Sequence, residues 1–129
     1  MKILLDTQCW LWMTLTPDRL SASARALVEA IDSELYLSAA SAWEIAIKHS
    51  IGKLHLPESP TRYVPSRLDV TRTLALPIEH SHVLHVATLP PHHRDPFDRM
   101  LIAQAQLEDL PILTADRIFD RYDVTTIAA

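Results

Sequence analysis

The sequence predicts one α/β domain in which a central parallel sheet of four to five strands carries helices on both faces. Two observations lead to this fold class. Short apolar runs recur along the chain, and segments with helical spacing of apolar residues separate them. A chain of 129 residues with one glycine, no repeat and no low-complexity tract has the size and composition of a single domain. We therefore expect one domain spanning residues 1–129.

Five apolar runs are predicted as strands. The first, Lys2 to Leu5, is apolar without alternation, which is typical of a strand buried on both faces. The remaining strands are predicted at Glu34 to Leu37, Leu74 to Ile78, Leu110 to Thr114 and Val124 to Ile127. Pro77 interrupts the third run near its end, which favours a strand end or a sheet edge there.

Helices are predicted between these strands. A short helix begins at about Gln8 and is ended by Pro17. A helix capped by Ser38 or Ser41 ends near Ile51, where Gly52 supplies the stop signal. The other predicted helices run from Ser21 to about Ile31, between Pro60 and Leu68, from His80 to Ala87, and onward from Asp98 after a loop at His92 to Phe97.

The charge balance restricts how this chain binds nucleic acid. A formal net charge of −4 argues against binding through a bulk positive field. It does not exclude a nuclease, because a bound cation and a local basic rim supply positive charge where a substrate lies. For any one arginine, a solvated surface position is the more ordinary interpretation. The candidates for a basic rim are Arg62, Arg67, Arg72, Arg94, Arg99 and Arg117.

Features that bear on cellular location are few. The single cysteine, Cys9, allows no internal disulfide; it indicates a reducing setting and most simply serves as a small buried hydrophobe. The apolar run after Lys2 ends at Asp6, which is too short for a signal peptide. No apolar run reaches the roughly 18 residues that a membrane span needs. We expect a cytoplasmic protein with no membrane partner.

Four acidic residues are the strongest functional signal. Asp6 follows the first predicted strand, Asp116 follows the fourth strand after one residue, and Asp98 begins a predicted helix. The carboxyl ends of parallel strands meet at one edge of a sheet, so we expect these groups to converge there. Clustered carboxylates repel each other unless a cation joins them. The cations that suit an all-oxygen site of this kind are Mg²⁺ and Mn²⁺.

Each acid also has a plain structural interpretation. Asp6, Asp98 and Asp116 are all placed where an aspartate caps a helix. Glu44 is harder to explain in this way, because its apolar neighbours predict a helix buried around most of its circumference. A carboxylate there is costly unless it is paired or bound to a cation. Glu44 reaching a rim, or pairing with Lys48 four residues later, remains the alternative to a metal site.

Four stretches of the chain resemble, in order, the motifs of the PIN-domain ribonucleases. The first is Leu4-Leu5-Asp6-Thr7, and the fourth is Leu113-Thr114-Ala115-Asp116 followed by Phe119. The second and third are more specific: Ser41-Ala42-Trp43-Glu44-Ile45-Ala46-Ile47-Lys48, and the segment from Arg94-Asp95-Pro96-Phe97-Asp98 to Gln104-Ala105. Their order, their spacing and the chain length are similar to the small VapC-type toxins of bacterial toxin–antitoxin pairs.

This resemblance implies a Rossmann-like α/β/α sandwich with Mg²⁺- or Mn²⁺-dependent endoribonuclease activity. The catalytic and metal-binding acids would map to Asp6, Glu44, Asp98 and Asp116, with the hydroxyls of Thr7 and Thr114 supporting them. The third motif offers two aspartates; we choose Asp98 over Asp95 because a buried helix face then follows the ligand, and Asp95 either assists or only caps the turn. The implied partners are an RNA substrate, a cognate antitoxin protein and a second copy of the chain.

Other functions fit the residues less well. A non-catalytic PIN-fold protein-binding module is the main alternative, but packing alone requires none of the four acids. An aspartyl phosphatase needs a second acid two residues after Asp6, where Gln8 stands. His82 and His85 have a spacing that permits zinc, yet surface or rim positions are the favoured interpretation for the histidines, with contact to RNA open for His92 and His93. The three tryptophans are expected in the core.

Overall fold

A five-stranded sheet forms the centre of the computed structural model, which describes residues 1–129. The strands are β1 (Lys2–Leu5), β2 (Glu34–Ser38), β3 (Thr73–Leu76), β4 (Ile112–Thr114) and β5 (Thr126–Ala128). Their order across the sheet is β3-β2-β1-β4-β5, and every neighbouring pair is parallel. The predicted parallel α/β fold is confirmed, and β3, the strand before Pro77, lies at an edge of the sheet.

Six α-helices connect and cover these strands. They are α1 (Thr7–Leu15), α2 (Ala22–Glu29), α3 (Ala39–Ser50), α4 (Pro60–Val70), α5 (His80–Val86) and α6 (Pro96–Glu108), with short 3₁₀ segments at Pro17–Arg19 and Arg117–Arg121. Ser38 caps α3 by accepting a hydrogen bond from the Ala40 backbone N–H. Gly52 follows this helix at φ +76°, a left-handed conformation that glycine adopts without steric cost. None of the helices has the length and apolarity needed to cross a membrane.

The central strand β1 places side chains in two cores on opposite faces of the sheet. Ile3 and Leu5 pack into a cluster formed with α1 to α4, while Leu4 packs into a second cluster formed mainly with α6. All three side chains are fully buried, as a strand covered on both faces requires. Burial of each contributes about 1.5–3 kcal/mol to folding. This packing fixes the position of the strand end from which Asp6 extends.

Two expectations about burial were wrong. Helix α3 is buried on one face only, formed by Ala40, Ser41, Glu44 and Ile45. The spacing of these residues matches one side of a helix. The opposite side is open, so Trp43 is 61% exposed rather than part of the core. Trp10 does occupy the core, where its ring meets that of Tyr63 edge to face at 6.2 Å.

Candidate metal centre

A cleft of about 580 Å³ lies at the carboxyl ends of β1 and β4. Asp6 follows β1 directly, and Asp116 follows β4 after Ala115. Glu44 enters from the middle of α3, and Asp98 from the first turn of α6. All four predicted acids therefore line one cleft, although they are spread over more than a hundred residues of sequence.

Asp6 is the most firmly held acid of the cleft. One carboxylate oxygen accepts a hydrogen bond from the Cys9 backbone N–H at 2.7 Å, and the other accepts from the Thr114 hydroxyl at 2.5 Å. Burial raises the pKa of Asp6, while these hydrogen bonds act in the opposite direction. Thr114 thus lies where it supports Asp6. The Thr7 hydroxyl instead donates to Ser41 at 2.8 Å, so it joins α1 to α3 and hydrogen-bonds to none of the four acids.

Glu44 combines an ion pair with an unsatisfied oxygen. Its Oε2 accepts a hydrogen bond from Lys48 Nζ at 2.6 Å, as the i+4 spacing allows, and this contact raises the pKa of Lys48. Its Oε1 is buried and has no hydrogen-bond partner. A buried carboxylate oxygen without a partner is costly and rare. The carboxylate oxygens in the same cleft are the kind of ligand that a hard divalent cation prefers.

Asp98 lies beside the N-cap of α6 and does not form it. Asp95 is the cap, because its Oδ1 accepts hydrogen bonds from the backbone N–H groups of Phe97 and Asp98. The helix consequently begins at Pro96, two residues earlier than expected, and the carboxylate of Asp98 is not used as the cap and lines the cleft. Burial raises the pKa of Asp98 to about 6, with smaller contributions in the same direction from Asp95 and Glu44.

Asp116 serves two structural purposes at the end of β4. Its backbone N–H donates to the Thr114 hydroxyl at 3.0 Å, and its Oδ1 accepts from the Ile118 backbone N–H, which caps the 3₁₀ segment. The capping role considered from the sequence is therefore present. The side chain is nevertheless exposed to the cleft and lies close to Asp98.

His93 joins the site although the sequence suggested only an RNA contact for it. Its Nε2 lies 2.8 Å from Asp98 Oδ2, a hydrogen bond that opposes the rise of the Asp98 pKa. Potential ligand atoms of His93, Asp98 and Asp116 all lie within 4.8 Å of one another. The only signal in the sequence is a histidine shortly before the third motif, and the course of the intervening loop decides whether it reaches Asp98.

The basic residues around the cleft differ from the expected rim. Of the six arginines considered, only Arg117 lines the cleft, where it is joined by Lys48 and Lys53. Arg99 is not a solvated surface group, because its guanidinium donates to the backbone carbonyls of Val86, Leu89, Pro90 and His93.

A zinc site at His82 and His85 is not formed. His82 is 1% exposed, so the expected surface position was wrong for this residue. Its Nδ1 accepts from the Glu79 backbone N–H, and its Nε2 lies 2.8 Å from Glu108. His85 Nε2 instead lies 2.7 Å from Gln106 Oε1. Both histidines thus tie α5 to α6.

The fold and the cleft together define a class: a parallel α/β domain with an acidic, cation-type site at the carboxyl edge of its sheet. The chain matches the PIN domain family model over residues 3–124, and it belongs to that family. A curated relative, Ribonuclease VapC16 of Mycobacterium tuberculosis (strain ATCC 25618 / H37Rv), is 45% identical over 71 residues. This match spans 52% of the chain and 50% of the relative, about half of each.

Solved structures support the same fold over the whole chain. The crystal structure of VapBC2 from Rickettsia felis bound to a DNA fragment from its promoter aligns with a TM-score of 0.70 and 15% identity, covering 100% of this chain and 99% of that one. DNA-bound VapBC from Salmonella typhimurium aligns with a TM-score of 0.69 and 18% identity, covering 99% and 98%. At these identities the likeness establishes the fold.

Proposed function

We propose that this chain is a Mg²⁺- or Mn²⁺-dependent endoribonuclease that acts in the cytoplasm as the toxin of a toxin–antitoxin pair. The observation that carries the proposal is the unpartnered, buried Oε1 of Glu44 in a cleft that also holds Asp6, Asp98 and Asp116. Membership of the PIN family and the partial match to a ribonuclease named VapC16 support it.

The acids have distinct parts in the proposed reaction. Asp6, Asp98 and Asp116 would hold the cation, with Glu44 either a further ligand or the group that orients the attacking water. When bound, the cation polarises the scissile phosphate and makes a water molecule more acidic. Arg117 and Lys53, which line the same cleft, supply positive charge for the flanking phosphates of an RNA strand. Thr114 fixes the carboxylate of Asp6 in one orientation through its hydroxyl.

The proposed partners are an RNA substrate, a cognate antitoxin and a second copy of this chain. An apolar surface beside the cleft includes Trp43, Val83, Phe97 and Met100. Trp43 and Val83 are 61% and 49% exposed, and contiguous exposed apolar side chains are typical of protein–protein interfaces. The solved neighbours are described as VapBC complexes, which supports an antitoxin partner. Light scattering on the purified chain should give the mass of a dimer, and co-purification with the product of an adjacent small gene would identify the antitoxin.

Cleavage of a mixed tRNA and rRNA pool tests the proposed activity. The purified chain should give discrete fragments with Mn²⁺ and none with EDTA. The Asp6→Asn variant should lose at least about a hundredfold in rate, since it removes a charged group from the electrostatic centre of the site. Asp69→Asn, which changes an exposed aspartate on α4 outside the cleft, is the matched control and should cleave like the unmodified chain.

Full activity of the Asp6→Asn variant would exclude the proposed site. If the folded, antitoxin-free chain neither cleaved RNA nor bound Mn²⁺, the domain would instead serve as a protein-binding module whose acids are unused.

A further inference from the structure

The spacing of three side chains, those of His93, Asp98 and Asp116, matches the coordination sphere of one cation. His93 Nε2 and Asp98 Oδ2 are 2.8 Å apart, and ligand atoms of His93, Asp98 and Asp116 all lie within 4.8 Å of one another. An octahedral cation with ligands at about 2.0–2.1 Å places adjacent ligand atoms roughly 3 Å apart and opposite ones roughly 4.2 Å apart. The three groups therefore need little movement to share an ion, once His93 has lost the Nε2 hydrogen that it donates to Asp98.

His93 contacts Asp98 from a loop that two side chains fix. Its backbone N–H donates to the Tyr122 hydroxyl at 2.9 Å, and its carbonyl accepts from Arg99 at 3.3 Å. The same tyrosine donates to the Pro90 carbonyl, and Arg99 reaches three further carbonyls nearby. The imidazole is itself only 25% exposed. A histidine held in this way is a preorganised ligand, unlike a mobile surface side chain.

A separate observation indicates that a cation belongs in this cleft. Glu44 Oε1 is buried without a hydrogen-bond partner, and Glu44 as a whole is 6% exposed. Its other oxygen is already engaged by Lys48. Asp6 and Asp98 line the same cleft, and no group of the protein donates a hydrogen bond to Glu44 Oε1.

On the basis of the metal-dependent function proposed above, we propose that His93 is a nitrogen ligand of the bound cation, alongside Asp98 and Asp116, and that it makes the site prefer Mn²⁺ to Mg²⁺. Mg²⁺ is a hard ion that favours oxygen ligands, whereas divalent transition metals also accept imidazole nitrogen. A carboxylate site with one imidazole is therefore better suited to Mn²⁺ than an all-oxygen site would be.

Electron paramagnetic resonance of Mn²⁺ tests this assignment without measuring activity. Spin-echo modulation detects ¹⁴N bound directly to Mn²⁺, so the unmodified chain should show a ¹⁴N coupling. His93→Gln and His93→Ala should abolish it and raise the Kd for Mn²⁺ by about tenfold or more, a change typical of a lost metal-site interaction. The Kd for Mg²⁺, measured by competition, should change by less than about threefold because Mg²⁺ gains little from nitrogen.

Two variants separate ligation from a purely positioning role. Glutamine retains an N–H donor for Asp98, so unchanged Mn²⁺ selectivity in His93→Gln would show that His93 only orients Asp98, which overturns the inference. His92→Gln is the matched control: this neighbouring histidine packs its ring on Tyr122, and its substitution should leave the ¹⁴N coupling intact. Mn²⁺ bound without any ¹⁴N coupling would overturn the role of His93 and leave the proposed metal-dependent function standing. Failure of the unmodified chain to bind either Mn²⁺ or Mg²⁺ would overturn both.

Discussion

The acidic cleft has two sides that the fold builds in different ways. On the sheet side, Asp6 is held by a backbone N–H and by the Thr114 hydroxyl, at 2.7 and 2.5 Å. On the helix side, Glu44 and Asp98 are held by the charged or titratable side chains of Lys48 and His93. One oxygen of Glu44 has no partner at all.

This difference indicates which half of the site would depend on the proposed cation. The sheet side is fixed by the same hydrogen bonds that join β1, α1 and β4, so it is formed as soon as the fold is formed. The helix side gathers carboxylates that repel each other, and Lys48 and His93 offset this repulsion without giving Glu44 Oε1 a partner. We therefore expect metal to act mainly on the helix side and pH to act more through Asp98 than through Asp6. The sheet side should respond to changes in packing and hydrogen bonding.

The largest expected effect is the pH dependence that Asp98, on the helix side, gives to the free energy of unfolding. Burial raises the pKa of Asp98 from 3.8 to about 6, so the folded chain binds this proton more tightly than the unfolded chain does. The free energy of unfolding of the metal-free protein should therefore fall as pH rises from 3.8 to about 6, and the loss is complete above that range. A shift of this size corresponds to at most about 3 kcal/mol.

Asp98→Asn should remove this part of the pH dependence. Urea unfolding in EDTA at about pH 4 and about pH 7 measures it, since the two values bracket the titration. Adding Mn²⁺ at the higher pH should restore stability to the unmodified chain more than to the variant. Asp69→Asn should retain the full slope, and an identical slope in the Asp98→Asn variant would show that the carboxylate is not destabilised by burial.

A smaller effect is expected from removing the Thr114 hydroxyl on the sheet side. Thr114→Val keeps the shape of the side chain but removes the hydroxyl that donates to Asp6 and accepts from the Asp116 backbone N–H. Oδ2 of the buried Asp6 carboxylate then lacks a partner, which should lower the free energy of unfolding by about 1–3 kcal/mol. Chemical denaturation of the metal-free protein measures the loss. Thr125→Val, at an exposed threonine that precedes β5, should be close to neutral, and equal effects of the two substitutions would contradict the role given to Thr114.

The smallest expected effect comes from removing the N-cap of α6, which should change both stability and the affinity for Mn²⁺. Asp95→Ala removes the N-cap of α6 and should cost about 1 kcal/mol, as should Ser21→Ala at the N-cap of α2. Only the first change should also weaken Mn²⁺ binding, because the first turn of α6 positions Asp98. Calorimetric titration with Mn²⁺ compares the two variants. Equal affinities would mean that the start of α6 does not determine the position of Asp98.

The elements that the sequence predicted well are those with local signals. The unbroken apolar run of β1 predicted its bounds, Ser21 predicted the cap of α2, and Gly52 predicted the end of α3. The convergence of Asp6 and Asp116 was also predictable, since both follow parallel strands and such strands end at one edge. The joint presence of all four acids in one cleft follows from the same topology together with the motif resemblance.

The elements that the sequence did not predict depend on contacts between distant residues. His93 reaches Asp98 because Arg99 and Tyr122 bend its loop, and no local pattern encodes that bend. The apolar residues of α3 suggested burial on all sides, but Trp43 packs against Phe97 of α6 and is still 61% exposed. His82 is buried against α6, where its Nε2 lies 2.8 Å from Glu108, a residue 26 positions later in the chain.

The strand order has a consequence for how the protein is made. β1 pairs with β4, so the hydrogen bond from Thr114 to Asp6 joins residues that are 108 positions apart. While the ribosome is still adding the last part of the chain, Asp6 has neither its hydroxyl donor nor its acidic neighbour Asp116. The cleft is therefore completed only after β4 has emerged from the ribosome, so the site proposed to act on RNA does not exist on a partly synthesised chain.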